Sequence, residues 1–377
     1  MRNPLFHIVR RRDIPWWKSL LFRVIAIIIA FVIVCGMISA TSGENPAMIF
    51  PYLFEGSFGT VRKVYSTFRM MSLLLIVGLA LVPAFKMKFW NLGGDGQMLI
   101  GCLCAIMCMV HLGDLGWPDW AIILVEIPAA ILGGIIWALI PAIFKAFFNT
   151  NESLLTLMLN YIAVAVVGVY LTATVKNGSG TMSPVTTGAL AIKFGPHQFD
   201  YLPIIVAVVL LALVFAYLRF HKHGYELAVV GESQNTAKYI GINVKKVIIR
   251  TVILSGAICG IVGLLLATSI NHSITSASSN NMGFTAIMIA WLAKFNPLAM
   301  VGTSFLVAFV NTGMKGVQTA VGITSDAITS VSIGLIYFAV IAADFFVSYR
   351  IMLSKHTKEP NKKAITAKKE KGLKEEK

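Results

Sequence analysis

An all-α bundle of about ten transmembrane helices, with both termini on the cytoplasmic side, is the fold this sequence predicts, and three observations carry it. Of its 377 residues, 57% are hydrophobic and only 13% are charged, whereas soluble domains carry about a quarter charged residues. Apolar runs recur from Leu20 to Val347, and a run of about 20 residues is what a hydrocarbon layer of about 30 Å demands. The Lys and Arg residues gather at the ends of those runs and in a basic tail, not on a single polar face.

The expected spans are residues 20–40, 67–85, 97–113, 120–141, 155–175, 201–218, 246–269, 284–293, 298–314 and 328–348. The first follows Arg10, Arg11, Arg12 and Lys18, as a secretory signal would. Its apolar run is too long for one and no small-x-small cleavage site follows, so it reads as an uncleaved first span. The eighth is too short to cross unaided. It either extends upstream or is a broken element buried against protein, where irregular backbone is tolerated. Two loops, 41–66 and 176–200, hold Gly, Pro and Ser; they either receive a delivery protein or simply connect spans. No internal repeat is evident.

Orientation follows from charge. With the N-terminus inside, 24 of the 32 Lys and Arg residues fall on cytoplasmic segments, and six fall on the opposite side: Arg62, Lys63, Arg69, Lys176, Lys193 and Lys315. The chain therefore divides into a cytoplasmic segment at 1–19, a membrane domain at 20–348 with a cytoplasmic loop at 219–245, and a basic cytoplasmic tail at 349–377. The net charge of +15 reads as cytoplasmic anchoring with attraction to anionic lipid, not as a nucleic-acid surface. Five cysteines lie in or beside apolar runs. Cys102, Cys104 and Cys108 have no His or carboxylate cluster beside them, so no metal site is expected.

Three polar segments interrupt the apolar pattern. In Phe89 to Gln97 three glycines in four residues flank an acid at a span junction. Glycine permits turns that other residues resist, so the helix is expected to break there. Asn91, Asp95 and Gln97 then either line a substrate path or belong to a plain helix-breaking turn. At about 3.6 residues per turn, Glu152, Thr156 and Asn160 fall on one narrow arc at the start of the fifth span. Such a stripe faces a cavity or bundle interior, or makes interhelical hydrogen bonds; Glu152 also suits a helix N-terminus. The third segment, Gly224 to Asn243, is a polar stretch between long spans, the kind of surface that meets another protein.

Absent patterns narrow the chemistry. The sequence holds no G-x-x-x-x-G-K-[ST] phosphate loop, no H-E-x-x-H pair and no G-x-S-x-G elbow. No enzymatic activity and no cofactor of its own are expected. An ion-coupled carrier would need mid-membrane carboxylates, for which Asp95, Glu126 and Glu152 are the candidates. A membrane-embedded transferase would need a cluster of acids and bases at one interface, and none stands outside the tail.

Four segments together resemble the permease family of ABC importers that includes branched-chain amino acid, simple-sugar and nucleoside permeases. They are Phe89 to Gly101 (FWNLGGDGQMLIG), Asn151 to Ala163 (NESLLTLMLNYIA), Gly224 to Asn243 (GYELAVVGESQNTAKYIGIN) and Gly283 to Leu298 (GFTAIMIAWLAKFNPL). The likeness runs from about Leu20 to Val347 and is nearest the nucleoside and simple-sugar branch. It implies that the 219–245 loop holds a coupling helix for a separate ATPase subunit, which carries the ATP and Mg. By motif position Gly224, Gly231, Glu232, Ala237, Tyr239 and Gly241 serve that coupling. It also implies a second, homologous permease, an extracytoplasmic solute-binding protein and residence in the inner membrane. Because few charged residues fall within the spans, a polar, uncharged cavity and a neutral hydroxylated solute such as a nucleoside or sugar are expected. The chain departs from the pattern at Ala228, where Arg is common, at Gln234 to Thr236, where Asn-Pro is common, at Thr285, where an acid is common, and at Asp95, where Glu is more frequent.

Overall fold

The computed structural model describes residues 6–10, 15–175, 181–194, 197–323 and 326–353. In chain order the helices are α1 (Trp16–Ser42), α2 (Pro46–Phe58), α3 (Val61–Lys86), α4 (Gly94–Asp114), α5 (Asp119–Phe148), α6 (Glu152–Thr174), α7 (Leu202–Phe220), α8 (Lys222–Glu232), α9 (Gln234–Tyr239), α10 (Val244–Leu265), α11 (Met282–Leu292), α12 (Pro297–Val321) and α13 (Asp326–Ser348). A π-helical turn, Leu266–Asn271, prolongs α10. Eight of the ten expected spans coincide with helices long and apolar enough to cross a membrane. The eighth and tenth coincide with the shorter apolar stretches Met282–Leu292 and Ser330–Ala343.

Contacts divide the chain into two units. One comprises Met1–Val34 and Leu335–Lys377. Within it, strand β1 (Phe6–Arg10) pairs antiparallel with β4 (Tyr349–Leu353), Arg10 opposite Tyr349 and Phe6 opposite Leu353. This ribbon is an addition to the all-α expectation. The remainder of the tail lies outside the described residues. The other unit, Cys35–Gly334, contains all the sites discussed below.

Helix boundaries in this unit follow local chemistry. Thr60, Asn151, Asn243 and Asn296 each accept a hydrogen bond from a backbone N–H of the helix they precede, which satisfies donors that an isolated helix leaves free. Asn149 closes α5 in the left-handed region at φ 52° and Gly322 closes α12 at φ 73°, so one short turn, Asn149 to Asn151, ends α5 and caps α6.

The polarity of the surface is that of a membrane protein. Leu124, Ile136, Val169 and Phe220 are more than half exposed, and Trp117 and Trp120 are exposed at the start of α5, where an aromatic belt is expected. Burial between helices therefore comes from close packing and not from exclusion of water. One such close crossing joins α5 to α10. A Cβ on Gly134 would lie 2.3 Å from the carbonyl oxygen of Gly256, so only backbone fits there.

One expectation is corrected and one open alternative is decided. The 41–66 segment is not an open loop: half of it is α2, capped by Asn45 with Pro46 as its first residue, and this helix packs on α12 and α3. Ser57 Oγ donates to the Phe309 carbonyl at 2.8 Å. The eighth span does not extend upstream, because turns occupy 272–281 and Asn280 and Asn281 both have positive φ. It is the 11-residue α11, held against α3, α4 and α12.

The 176–200 loop is irregular where it is described, apart from the hairpin of β2 (Lys193–Phe194) and β3 (Phe199–Asp200). Tyr65 of α3 stacks on Phe199 and donates its hydroxyl to the Asp200 carbonyl at 2.6 Å. The Asp200 carboxylate accepts from the backbone of Ile192 and Leu202 and from Ser269 Oγ. The hairpin is thereby clamped to α3 and to the π turn.

Candidate functional site: a helix break, a docked polar segment and a polar cavity

The chain does break between α3 and α4, as the glycines of Phe89 to Gln97 predict. Backbone groups freed by the break are claimed by side chains of other helices. Thr156 Oγ1 accepts the Leu92 N–H at 3.1 Å. Asn160 spans the gap: its Nδ2 donates to the Leu92 carbonyl at 2.8 Å and its Oδ1 accepts the Gly96 N–H at 2.8 Å. Asn91 Oδ1 accepts from Gly93 N–H and Gln97 Nε2, while its Nδ2 donates to Ser255 Oγ of α10 at 3.1 Å. All these side chains are buried. Unmet polar groups in a bilayer are costly, and this network pairs the Leu92 N–H and carbonyl and the N–H groups of Gly93 and Gly96.

Asp95 and Glu152 complete the arrangement. Asp95 Oδ1 accepts the Gly283 N–H at 3.0 Å, placing a carboxylate on the first turn of α11, where the positive end of the helix dipole favours it. Glu152 pairs with Lys145 of α5 at 2.8 Å. Thus five of the six residues singled out for a substrate path, Asn91, Asp95, Gln97, Thr156 and Asn160, gather around the break, and Glu152 lies one turn before Thr156 in an ion pair with α5.

The Gly224 to Asn243 segment forms α8 and α9. Its six motif positions separate into two groups. Gly224, Gly231 and Ala237 are buried: a Cβ on Gly224 would meet the Leu218 carbonyl oxygen at 2.5 Å and one on Gly231 the Lys86 carbonyl oxygen at 2.0 Å. Leu227, Val230 and Ala237 join a core with Ala84, Ala138 and Val247, so the segment is seated on α3, α5 and α10. Glu232 and Tyr239 point outward, Tyr239 being 91% exposed. Gly241 turns at φ 83° with open space around it.

Sequence reasoning passed over one interaction here. Arg250 of α10 donates to Glu226 of α8 at 2.7 Å, with Lys222 at 4.0 Å. The hydrogen bond from Arg250 holds the Glu226 carboxyl below its ordinary value. The partners are 24 residues apart, and only their opposite charges at the ends of neighbouring helices signalled the pair.

At the other end of α3 and α10 lies an open cavity of about 610 Å³. Arg69 and Leu73 of α3, Asn271 of the π turn, Asn280 before α11, and Asn311 and Lys315 of α12 line it. An adjoining cavity of about 510 Å³ shares Ser66, Thr312 and Lys315 and adds Arg62, Lys63 and Glu55. None of the six path candidates lines either cavity. Asp95 bonds the N–H of Gly283, the residue after the cavity-lining Met282. Among the described residues no group of three His, Cys, Asp or Glu is placed to hold a metal ion.

A bundle of apolar helices with an open polar cavity at one end, and a polar helical segment seated on the far ends of two cavity-lining helices, defines a multi-pass membrane transport protein. The chain belongs to the family described as branched-chain amino acid transport system / permease component, whose model matches residues 64–343. It is similar to the guanosine ABC transporter permease protein NupP of Bacillus subtilis, 27% identical over 327 residues covering 85% of this chain and 93% of the relative. It is also similar to the nucleoside ABC transporter permease protein NupB of Lactococcus lactis, 25% identical over 366 residues, 93% of this chain and 96% of the relative. The glucose ABC transporter permease protein TsgB13 of Haloferax volcanii is 24% identical over 356 residues, 90% of this chain and 92% of the relative. These matches agree with the resemblance carried by the four sequence segments.

Proposed function

We propose that the chain is the permease subunit of an ATP-binding cassette importer that moves a nucleoside or simple sugar across the cytoplasmic membrane. The relatives named for guanosine, nucleosides and glucose support the solute class. In this reading α8 and α9 face the cytoplasm and present Glu232 and Tyr239 to a separate ATPase that binds ATP and Mg. A second permease completes the pathway, and an extracytoplasmic binding protein delivers solute to the cavity end.

One observation supports the coupling in physical terms. Two helices run from the α8 seat to the cavity: α3 from Lys86 to Arg69, and α10 with its π turn from Val247 to Asn271. At 1.5 Å rise per residue these are rods of about 25 Å and 35 Å. A push on α8 is therefore delivered to the cavity wall as rigid-body motion. The buried network at the helix break keeps α4, α6 and α10 moving with them.

Reconstitution into proteoliposomes tests the reading. Uptake of labelled guanosine or glucose is expected only with the ATPase chain, ATP and binding protein present. The ion-coupled alternative draws on Glu126, whose carboxylate oxygens are buried with no hydrogen-bond partner among the described residues. Uptake driven by an ion gradient without the ATPase would favour it.

A further inference from the structure

Charge counting places six Lys and Arg residues on the non-cytoplasmic side, and four of them, Arg62, Lys63, Arg69 and Lys315, line the two adjoining cavities. Because the cavities share Ser66, Thr312 and Lys315, they form one vestibule between α3 and α12. Among the described residues the ion pairs join Lys145 to Glu152, and Lys222 and Arg250 to Glu226. The four vestibule cations enter none of these, and Arg69 lies over the Tyr65 ring at 5.5 Å. Glu55 is the one carboxylate among the lining residues, and the larger cavity has none. The amides of Asn271, Asn280 and Asn311 and the hydroxyls of Ser and Thr residues such as Ser273 and Thr312 supply its other, uncharged polar groups.

Cations near a bilayer are costly and are kept where they act. Here they stand at a concave site whose volume lies in the range of about 300–1,000 Å³ typical of small-molecule sites. Low-dielectric walls lined by one sign of charge focus the field on whatever enters. Guanidinium and ammonium groups donate hydrogen bonds and accept none, so they reward carbonyl, carboxylate or phosphate oxygens and repel an amino cation.

We infer that this vestibule ranks solutes by charge: among nucleosides or sugars it favours those with an acceptor-rich or anionic group over their amino-bearing counterparts, with Arg69 and Lys315 as specificity-determining residues. The inference rests on the proposed function, in which the vestibule is the solute's entry.

Its electrostatic part is measured without a solute. Asn311→Cys, in the assembled complex, is treated with anionic and cationic methanethiosulfonate reagents of matched size, and the background rate of the unsubstituted protein is subtracted. With each rate divided by that reagent's rate with a small free thiol, the anionic reagent is expected to react about tenfold faster, and the pair Arg69→Gln and Lys315→Gln to bring the two normalised rates together. Equal normalised rates, or a higher cationic one, overturn the inference. A competition arm compares xanthosine with 2,6-diaminopurine riboside, and glucuronate with glucosamine, against ATP-driven uptake. The oxygen-rich member of the transported class should compete several-fold better, the double variant should compress that preference, and Lys315→Arg should keep it. If the variants lower uptake of every solute alike while the ranking stays, the cations serve capture of the delivery protein and the inference falls. Absence of any ATP-driven uptake would sink the functional reading, and the labelling ratio would still decide the electrostatic claim.

Discussion

A Cβ placed on Gly231 would fall 2.0 Å from the carbonyl oxygen of Lys86, so the backbone of α8 rests directly on the last turn of α3. No side chain fits between them. Replacing Gly231 by Ala forces α8 off its seat, an overpacking that costs about 1–3 kcal/mol. The expected outcome is a lowered thermal midpoint of the purified complex together with weakened coupling of ATP hydrolysis to uptake. Gly241→Ala meets no neighbour but must hold φ 83°, and costs about 1 kcal/mol through backbone strain alone.

Asn160 bonds both sides of the helix break, and that predicts a structural phenotype. In Asn160→Leu the Leu92 carbonyl and the Gly96 N–H lose their partners inside the bundle, at a cost of about 2–4 kcal/mol. Thermal denaturation in detergent should show the loss before any change in solute affinity. A wild-type midpoint combined with an altered KM would instead place Asn160 on the solute path.

The Glu226 and Arg250 pair makes a pH prediction. A carboxyl held below its ordinary value contributes stability that is present above its unfolded pKa and lost as pH falls through the folded one. Coupled transport should therefore be flat across neutral pH and fall only on acidification below the ordinary carboxylate range. Glu226→Gln should reduce ATP-driven uptake and remove that acid limb, while the exchange Glu226→Arg with Arg250→Glu should restore part of the activity. Uptake rates across a pH series check all three.

Asp95 capping α11 across the bundle is tested by charge removal. Asp95→Asn keeps a carbonyl that can accept from Gly283 N–H but loses the attraction between carboxylate and helix N-terminus, a loss of about 1 kcal/mol. Asp95→Leu loses both and should be clearly less stable. Thermal midpoints ranked wild type, then Asn, then Leu are expected.

Much of this was legible in the sequence, for physical reasons that also mark where legibility stops. Spans announce themselves because a bilayer demands long apolar runs, and the Glu152, Thr156 and Asn160 arc follows from helical periodicity. Helix α2 escaped notice because it has only 13 residues and carries Pro46, Pro51 and Gly56, which read locally as loop; its helicity is fixed by packing on α12. The stripe's partners proved to be backbone groups of Leu92 and Gly96, brought near by tertiary structure that no local pattern encodes. Motif position grouped six residues of the α8 and α9 segment together, yet Gly231 is buried against α3 and Tyr239 is open; only the fold separates seat from surface. Arg69 and Lys315 looked like scattered exceptions to a charge rule until α3 and α12 brought them to one cavity.

The central claim is that an ATPase acts on the exposed face of α8 and α9. A photo-crosslinking amino acid placed at Tyr239 measures this directly in the assembled transporter, with the lipid-facing Val169 as control position. The account predicts a crosslink from position 239 to the ATPase subunit, and none from position 169. A crosslink from position 239 to the extracytoplasmic binding protein, or labelling of that position from outside intact cells, would contradict it.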